Sequence, residues 1–449
     1  MNDYTPIALN WFLFVFGTFI TLIPVLFRKK FGFFLFCFGF VMTYNYSFNF
    51  LYYTLNNLVS KTIFQAMLLH VIACIIVYVS YVVFFPKFSA SRQYLFSNPS
   101  SLRDWKYILL PAVVFYALSS IGVKSTFNQI MVNTQELVYN NTISNILYPL
   151  SLLVQALLIK IVLTEKRRDY LGYSFLAFIL LTNLVRSFSS GSKIGVMGTI
   201  LFLGLIYSFK KNINFKVLLL AILVILPNIF FFISMANIRN SIQQDNMWAK
   251  MTMSEKLEYV YDKSLDIDYP KALENFFDTI ANRLHGVRSL SIFLERTPAV
   301  YKYWGGSSYL NILKWSVPRV MWNEKKMDDF TNVISYDYFD SSYTTNVAPF
   351  IWGEPYLNFG ITGVLFFACV IGIFLKICEI ILRIFSKDFF MQVFIVSMAY
   401  SFIATESNAG KVIPGIIGHT VFFLIFYLGI KIVRLSANRI ISNQTTRLT

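Results

Sequence analysis

The chain predicts an all-α polytopic membrane protein with about eleven spanning helices and one large external helical loop. Three observations point there. Hydrophobic residues make up 56% of the chain and charged residues only 14%, whereas a soluble domain carries close to a quarter charged residues. Apolar runs of about 20 residues, the length that crosses ~30 Å of hydrocarbon, recur on both sides of one long polar stretch. Basic residues crowd into alternate connections between those runs, the mark of cytoplasmic loops.

The runs extend from Ile7 to Phe27, Phe31 to Leu51, Ile63 to Phe85 and Tyr107 to Val123, then Ile143 to Leu163, Tyr170 to Phe188, Ile194 to Phe209 and Val217 to Ala236. Three more follow the polar stretch, from Tyr356 to Cys378, Phe389 to Ala404 and Val412 to Val433. The first lacks a basic n-region and a small-residue cleavage site, so it reads as a retained span. Arg28 to Lys30, then Lys87, Arg92, Arg103 and Lys106, then Lys166 to Arg168, then Lys210, Lys211 and Lys216 occupy alternate loops. Arg383, Lys387, Lys431, Arg434 and Arg439 keep the alternation. It places the N-terminus outside and the C-terminus in the cytoplasm. The formal charge of +16 is thereby explained by loop placement, and no nucleic-acid partner is expected. All four cysteines lie in apolar segments, so no disulfide framework is implied.

Three regions follow: residues 1–236 with spans one to eight, 237–349 as the external loop, and 350–449 with the last three spans and a tail. A loop of roughly 110 residues is usually functional. Thr252 with Glu255 forms a capping-box pattern, and Pro270 suits the first turn of a second helix running towards Glu295. On that helix Leu273, Phe277, Ile280, Leu284 and Val287 share one face, while Asp278, Asn282, His285 and Ser289 share the other.

Chemistry is expected where cations and carboxylates meet the outer membrane face. Arg186 lies near the outer end of the sixth span, before the small-residue turn Ser187 to Lys193. A spanning arginine costs ~2.5–3.5 kcal/mol unless it meets protein, water or a partner. A turn with two cations and small residues suits a phosphate, and snorkelling to the surface is the competing reading. Arg283, His285 and Arg288 form a second group, and Arg319 stands between Trp315 and Trp322. These cations suit phosphate too, and pairing with the loop's own Asp and Glu is the alternative. His285 suits a general base, since a free imidazole changes charge near neutral pH, and a solvated or capping histidine is the alternative reading. The chain re-enters the membrane through Gly353, Glu354, Pro355, Tyr356, Leu357, Asn358, Phe359 and Gly360, which brings a carboxylate, a phenol and an amide to the start of a span. His70, His419 and Glu406 are further polar groups within or at the end of spans, serving either function or helix packing. Asp266 with Asp268, and Asp328 with Asp329, resemble divalent-cation pairs, but such pairs arise easily in an acidic loop, so no metal is expected.

The run from Gly353 to Gly363 resembles the segment that O-antigen and related repeat-unit polymerases carry after their large external loop. The upstream Val317 to Trp322, followed by Lys325 and Lys326, is similar to their Pro-Arg and Lys-Pro pattern. The Ser189 to Lys193 turn resembles their Ser-Arg-Gly turn, with Lys193 where an arginine is usual. This resemblance implies a GT-C-like glycosyltransferase fold in the bacterial inner membrane, working without cofactor on undecaprenyl-diphosphate-linked oligosaccharides. A chain-length regulator protein is a further implied partner. It also implies Arg186, Lys193, Arg283, Arg288 and Arg319 for diphosphate, Glu354 or His285 as base, and Tyr356 and Asn358 at sugar hydroxyls. An O-antigen ligase and a flippase or transporter for the lipid-linked unit are the alternatives.

Overall fold

The computed structural model describes residues 5–27, 32–84, 285–316, 330–339 and 349–385, with single helical positions between 255 and 262 and between 391 and 428. Within them run α1 (Ile7–Leu26), α2 (Phe33–Met42), α3 (Phe48–Leu55), α4 (Lys61–Val83), α5 (Gly286–Arg296), α6 (Ser307–Ser316), α7 (Phe330–Val333) and α8 (Phe350–Ile384). Among the described residues α1, α4 and α8 are long and apolar enough to cross a membrane. The expected spans between Tyr107 and Ala236 lie outside the described residues, and with them the count of eleven.

Helix α1 shows why a nearly all-apolar sequence still packs specifically. Asn10, Leu13, Gly17, Thr21 and Pro24 are buried, a stripe at helical spacing built mostly of small or polar residues. Phe12, Val15, Phe16 and Phe19 point outward and are exposed, as lipid-facing bulk should be. Small residues on the stripe let backbones approach, which is how membrane helices gain packing energy. A Cβ on Gly39 of α2 would sit 2.7 Å from the carbonyl oxygen of Thr21, and one on Gly372 of α8 would clash with that of Val77.

Residues 33–55 run helically throughout, but α2 and α3 are joined by a wider, π-type turn at Thr43–Ser47. The Thr43 hydroxyl bonds back to the carbonyl of Gly39 at 2.8 Å, a contact that bends helices. Such turns often mark functional segments. Here it turns Tyr46 onto the ring of His70, stacked at 4.2 Å. Helix α4 begins where the Ser60 hydroxyl accepts from the backbone N–H of Ile63 at 3.3 Å, which satisfies one of the free donors of the first turn. It packs against α1, α5 and α8 at the centre of the described bundle.

The two ends of this bundle are distinct. At one end the N–H of Thr5 donates to the carbonyl of Val59, so α1 and α4 start side by side. At the other end the Glu379 carboxylate of α8 lies against Gly32, where the start of α2 favours an anion. Arg383 Nε stands 3.9 Å from Glu379 Oε1, and the Lys376 ammonium lies 4.6 Å from the Tyr81 ring centroid. Helices α1, α4 and α8 therefore run in one direction and α2–α3 in the other.

Two boundaries differ from the sequence expectation. The helix expected from Pro270 towards Glu295 does not pass through His285: α5 starts at Gly286, with His285 at its N-cap in a non-helical conformation (φ −83°, ψ 31°). Gly286 allows the close approach there, since its Cβ would stand 3.0 Å from the carbonyl oxygen of Asn45. The span expected from Tyr356 to Cys378 belongs to the longer Phe350–Ile384, which is broken at Gly360 (φ 67°, ψ −152°).

Candidate active site at the break in the re-entry helix

The first half of α8, up to Phe359, carries the carboxylate, phenol and amide singled out from the sequence. Its start is strained: Phe350 has φ 56°, unfavourable for a bulky residue. The ring is held by packing, edge-on to His285 at 5.0 Å and to Tyr46 at 6.4 Å. Its end is set by Gly360, whose backbone conformation is open essentially to glycine alone.

Breaking a helix leaves carbonyls without intrahelical donors, and α8 meets this from a remote segment. The N–H groups of Trp304 and Gly305 donate to the carbonyls of Leu357 (2.9 Å) and Asn358 (3.2 Å). The Gly306 N–H donates to Asn358 Oδ1 at 2.9 Å. Positive φ at Gly305 (57°) and Gly306 (90°) curls the strap so that successive N–H groups face the helix end. The Tyr356 hydroxyl donates to the carbonyl of Thr297 at 2.9 Å, and its ring meets Tyr303 edge to face at 6.2 Å.

Inside this strap lies a polar chain that sequence reading missed. Ser308 Oγ donates to Glu354 Oε1 at 2.7 Å. Asn358 Nδ2 donates to Ser308 Oγ at 2.8 Å and to the carbonyl of Glu354 at 2.9 Å. Glu354 is 4% exposed and Ser308 and Asn358 1%, so the carboxylate is withdrawn from water and held by hydrogen bonds, as a buried charge must be. Next to Ser308, the Tyr309 ring stacks on Phe359 and Phe367. Burial first, and then the nearby Glu354 charge, push its phenol up. Ser308 stands 46 positions from Glu354, and no local pattern announces the pair.

His285 contributes differently. Its Nδ1 lies 2.9 Å from Ser289 Oγ, and its ring reaches α8 through Phe350, one helical turn before Glu354. Arg288 follows on α5, its backbone N–H bonded to Asn49 Oδ1 at 3.2 Å. Arg296, not singled out from the sequence, donates through Nη1 to the carbonyl of Asp337 at 2.6 Å. The structure thus brings Glu354, Tyr356 and Asn358 into one strapped half-helix, with His285 and Arg288 on the neighbouring segment. Arg186, Lys193, Arg283 and Arg319 lie outside the described residues, as do the four aspartates of the candidate metal pairs.

Residues 337–412 match the model of a family described as putative O-antigen polymerase. Over this stretch the chain is similar to that family. Within it fall Glu354, Tyr356, Asn358 and the Gly360 break, while the strap and Ser308 precede it. Comparison with the curated proteins gives no match, and comparison with the solved structures gives none. The match over residues 337–412 and the three helices long and apolar enough to cross a membrane point to an integral membrane protein.

Proposed function

We propose that the chain is a glycosyltransferase that joins undecaprenyl-diphosphate-linked oligosaccharide repeat units at the periplasmic face of the bacterial inner membrane. The observation that carries this reading is the O-antigen polymerase match over the stretch that includes the buried Glu354 half-helix. A hydroxyl of the incoming unit attacks the first sugar of the growing chain; the C–O bond to the lipid diphosphate breaks, and undecaprenyl diphosphate leaves with the bonding pair. Glu354 takes the proton of the attacking hydroxyl, with His285 the alternative base.

Arg186, Lys193, Arg283, Arg288 and Arg319 are assigned to the diphosphate. At an effective dielectric near 20, a cation about 4 Å from an anionic oxygen contributes roughly 4 kcal/mol before desolvation, so two or three arginines suffice to stabilise the leaving group without a metal. Tyr356 and Asn358 are assigned to the sugar side. Asn358 spends both amide N–H groups on Glu354 and Ser308, so it offers a sugar only an acceptor lone pair. The test is the lipopolysaccharide of a strain lacking this chain, run on a gel. A single repeat unit on core supports the polymerase; uncapped core would make the chain a ligase, and an unchanged ladder would remove it from this pathway.

A further inference from the structure

We infer that Ser308 is a positioning residue for the Glu354 carboxylate, through which the external strap sets both the orientation and the protonation of the base. The inference rests on the proposed role of Glu354. It starts from the direction of the polar chain. The Gly306 N–H donates to Asn358 Oδ1, which fixes the amide so that Nδ2 points the other way. Nδ2 then donates to Ser308 Oγ, occupying an acceptor position on the hydroxyl. The remaining Ser308 proton goes to Glu354 Oε1 at 2.7 Å, a length typical of a hydroxyl bound to a carboxylate. The relay runs in one direction, from the Gly306 N–H through Asn358 and Ser308, and ends on a proton donated to the Glu354 carboxylate.

Two consequences follow for the reaction. A hydrogen bond donated to the charged form of a carboxylate favours that form, and a base must be charged to accept a proton. The bond also holds Glu354 in one rotamer, and misplacement of a catalytic group by about 1 Å costs orders of magnitude. The strap carrying Ser308 is anchored to the broken end of α8 by the Trp304 and Gly305 N–H groups. Ser308 therefore links a loop outside the family match to a carboxylate inside it. The other titratable groups on described elements around this half-helix are Tyr303, Tyr309 and Lys314 on the strap and α6, Tyr46 and His70 beside α8, His285, Arg288, Glu295 and Arg296 at α5, and Tyr338 beyond Phe293. None of them makes the 2.7 Å contact of Ser308.

The experiment measures kcat/KM against pH for purified full-length protein in lipid nanodiscs with lipid-linked repeat units. The variants are Ser308→Ala, Ser308→Thr, Ser308→Cys and Glu354→Gln. Ser308→Ala is expected to lower kcat about tenfold or more with KM nearly unchanged, and to move the acid limb of the profile up by about one pH unit, because the charged base has lost a donor. Ser308→Thr keeps the hydroxyl and should restore most of the rate and the original limb. A wild-type profile in Ser308→Ala, or equal loss in the Ala and Thr variants, overturns the inference. If Ser308→Ala does not accumulate, Ser308→Cys carries the test: its weak donor should shift the limb in the same direction, and an unshifted limb overturns the inference. Glu354→Gln separates the two readings. Full activity in that variant removes Glu354 as base, whereas an inactive Glu354→Gln beside a normal Ser308→Ala removes only the positioning role.

Discussion

Trp352 Nε1 donates to His70 Nδ1 at 2.9 Å, and both side chains are fully buried. This bond joins α4 to α8 two residues before Glu354. The acceptor role at Nδ1 makes His70 a neutral imidazole protonated on Nε2, so this intramembrane histidine has an evident use in helix packing.

His70→Leu should leave the Trp352 N–H without an acceptor in an apolar core, a loss of about 1–3 kcal/mol in water-soluble proteins and roughly 0.6–2 kcal/mol between membrane helices. Thermal unfolding of His70→Leu, Trp352→Phe and the double variant in detergent is the check. The double variant should lose less than the two single losses added together. Strict additivity would show that the bond does not contribute.

Gly360→Ala is expected to cost roughly 1–3 kcal/mol, since an L-residue is forced to φ 67° and ψ −152°, and its new Cβ would meet Tyr303 Oη at 3.0 Å. Because Tyr303 touches Tyr356, the strap should shift and polymerisation should fall at least tenfold while the protein still reaches the membrane. Normal repeat-unit ladders from this variant would show that the break has no bearing on the site.

Arg319 is proposed to bind diphosphate because Pro318 restricts the backbone before it and Trp315 and Trp322 flank it. Arg319→Lys keeps the charge and loses the bidentate fork; Arg319→Ala loses both. Activity should fall in the order wild type, Lys, Ala at near-normal membrane abundance. Normal polymerisation by Arg319→Ala ends the diphosphate role, and disappearance of the protein identifies an ion-pair partner instead.

The basic connections predict that residues 237–349 are periplasmic and the tail cytoplasmic. Reporter fusions at Ser264 and Asn443 check it: phosphatase activity is expected at Ser264 and absent at Asn443. The opposite pattern would move the strap and Glu354 to the cytoplasmic face.

The spans were legible because their signal is local. An apolar run must reach across the bilayer, and run length is read directly, so Ile7 to Phe27 and Ile63 to Phe85 agree with α1 and α4 within about two residues. The re-entry segment was legible for a similar reason: Glu354, Tyr356, Asn358 and Gly360 are close neighbours in the chain, and the family match covers them. The break at Gly360 was not, because a glycine inside an apolar run reads equally well as a tolerated helix residue. Nor was the start of α5 at Gly286, which the helical stripe of the sequence does not mark and where α5 must approach Asn45 closely.

Composition and local pattern were enough to mark runs long and apolar enough to cross a membrane and to single out Glu354 as a polar group worth attention. Only the packed molecule decided what Glu354 touches. Ser308, Gly306 and Trp304 reach α8 from about 50 positions away along the chain, and a hydrogen bond over that separation depends on the direction of two backbones in space. No periodicity encodes that direction. It arises because a helix broken at Gly360 offers carbonyls that a curled strap can satisfy.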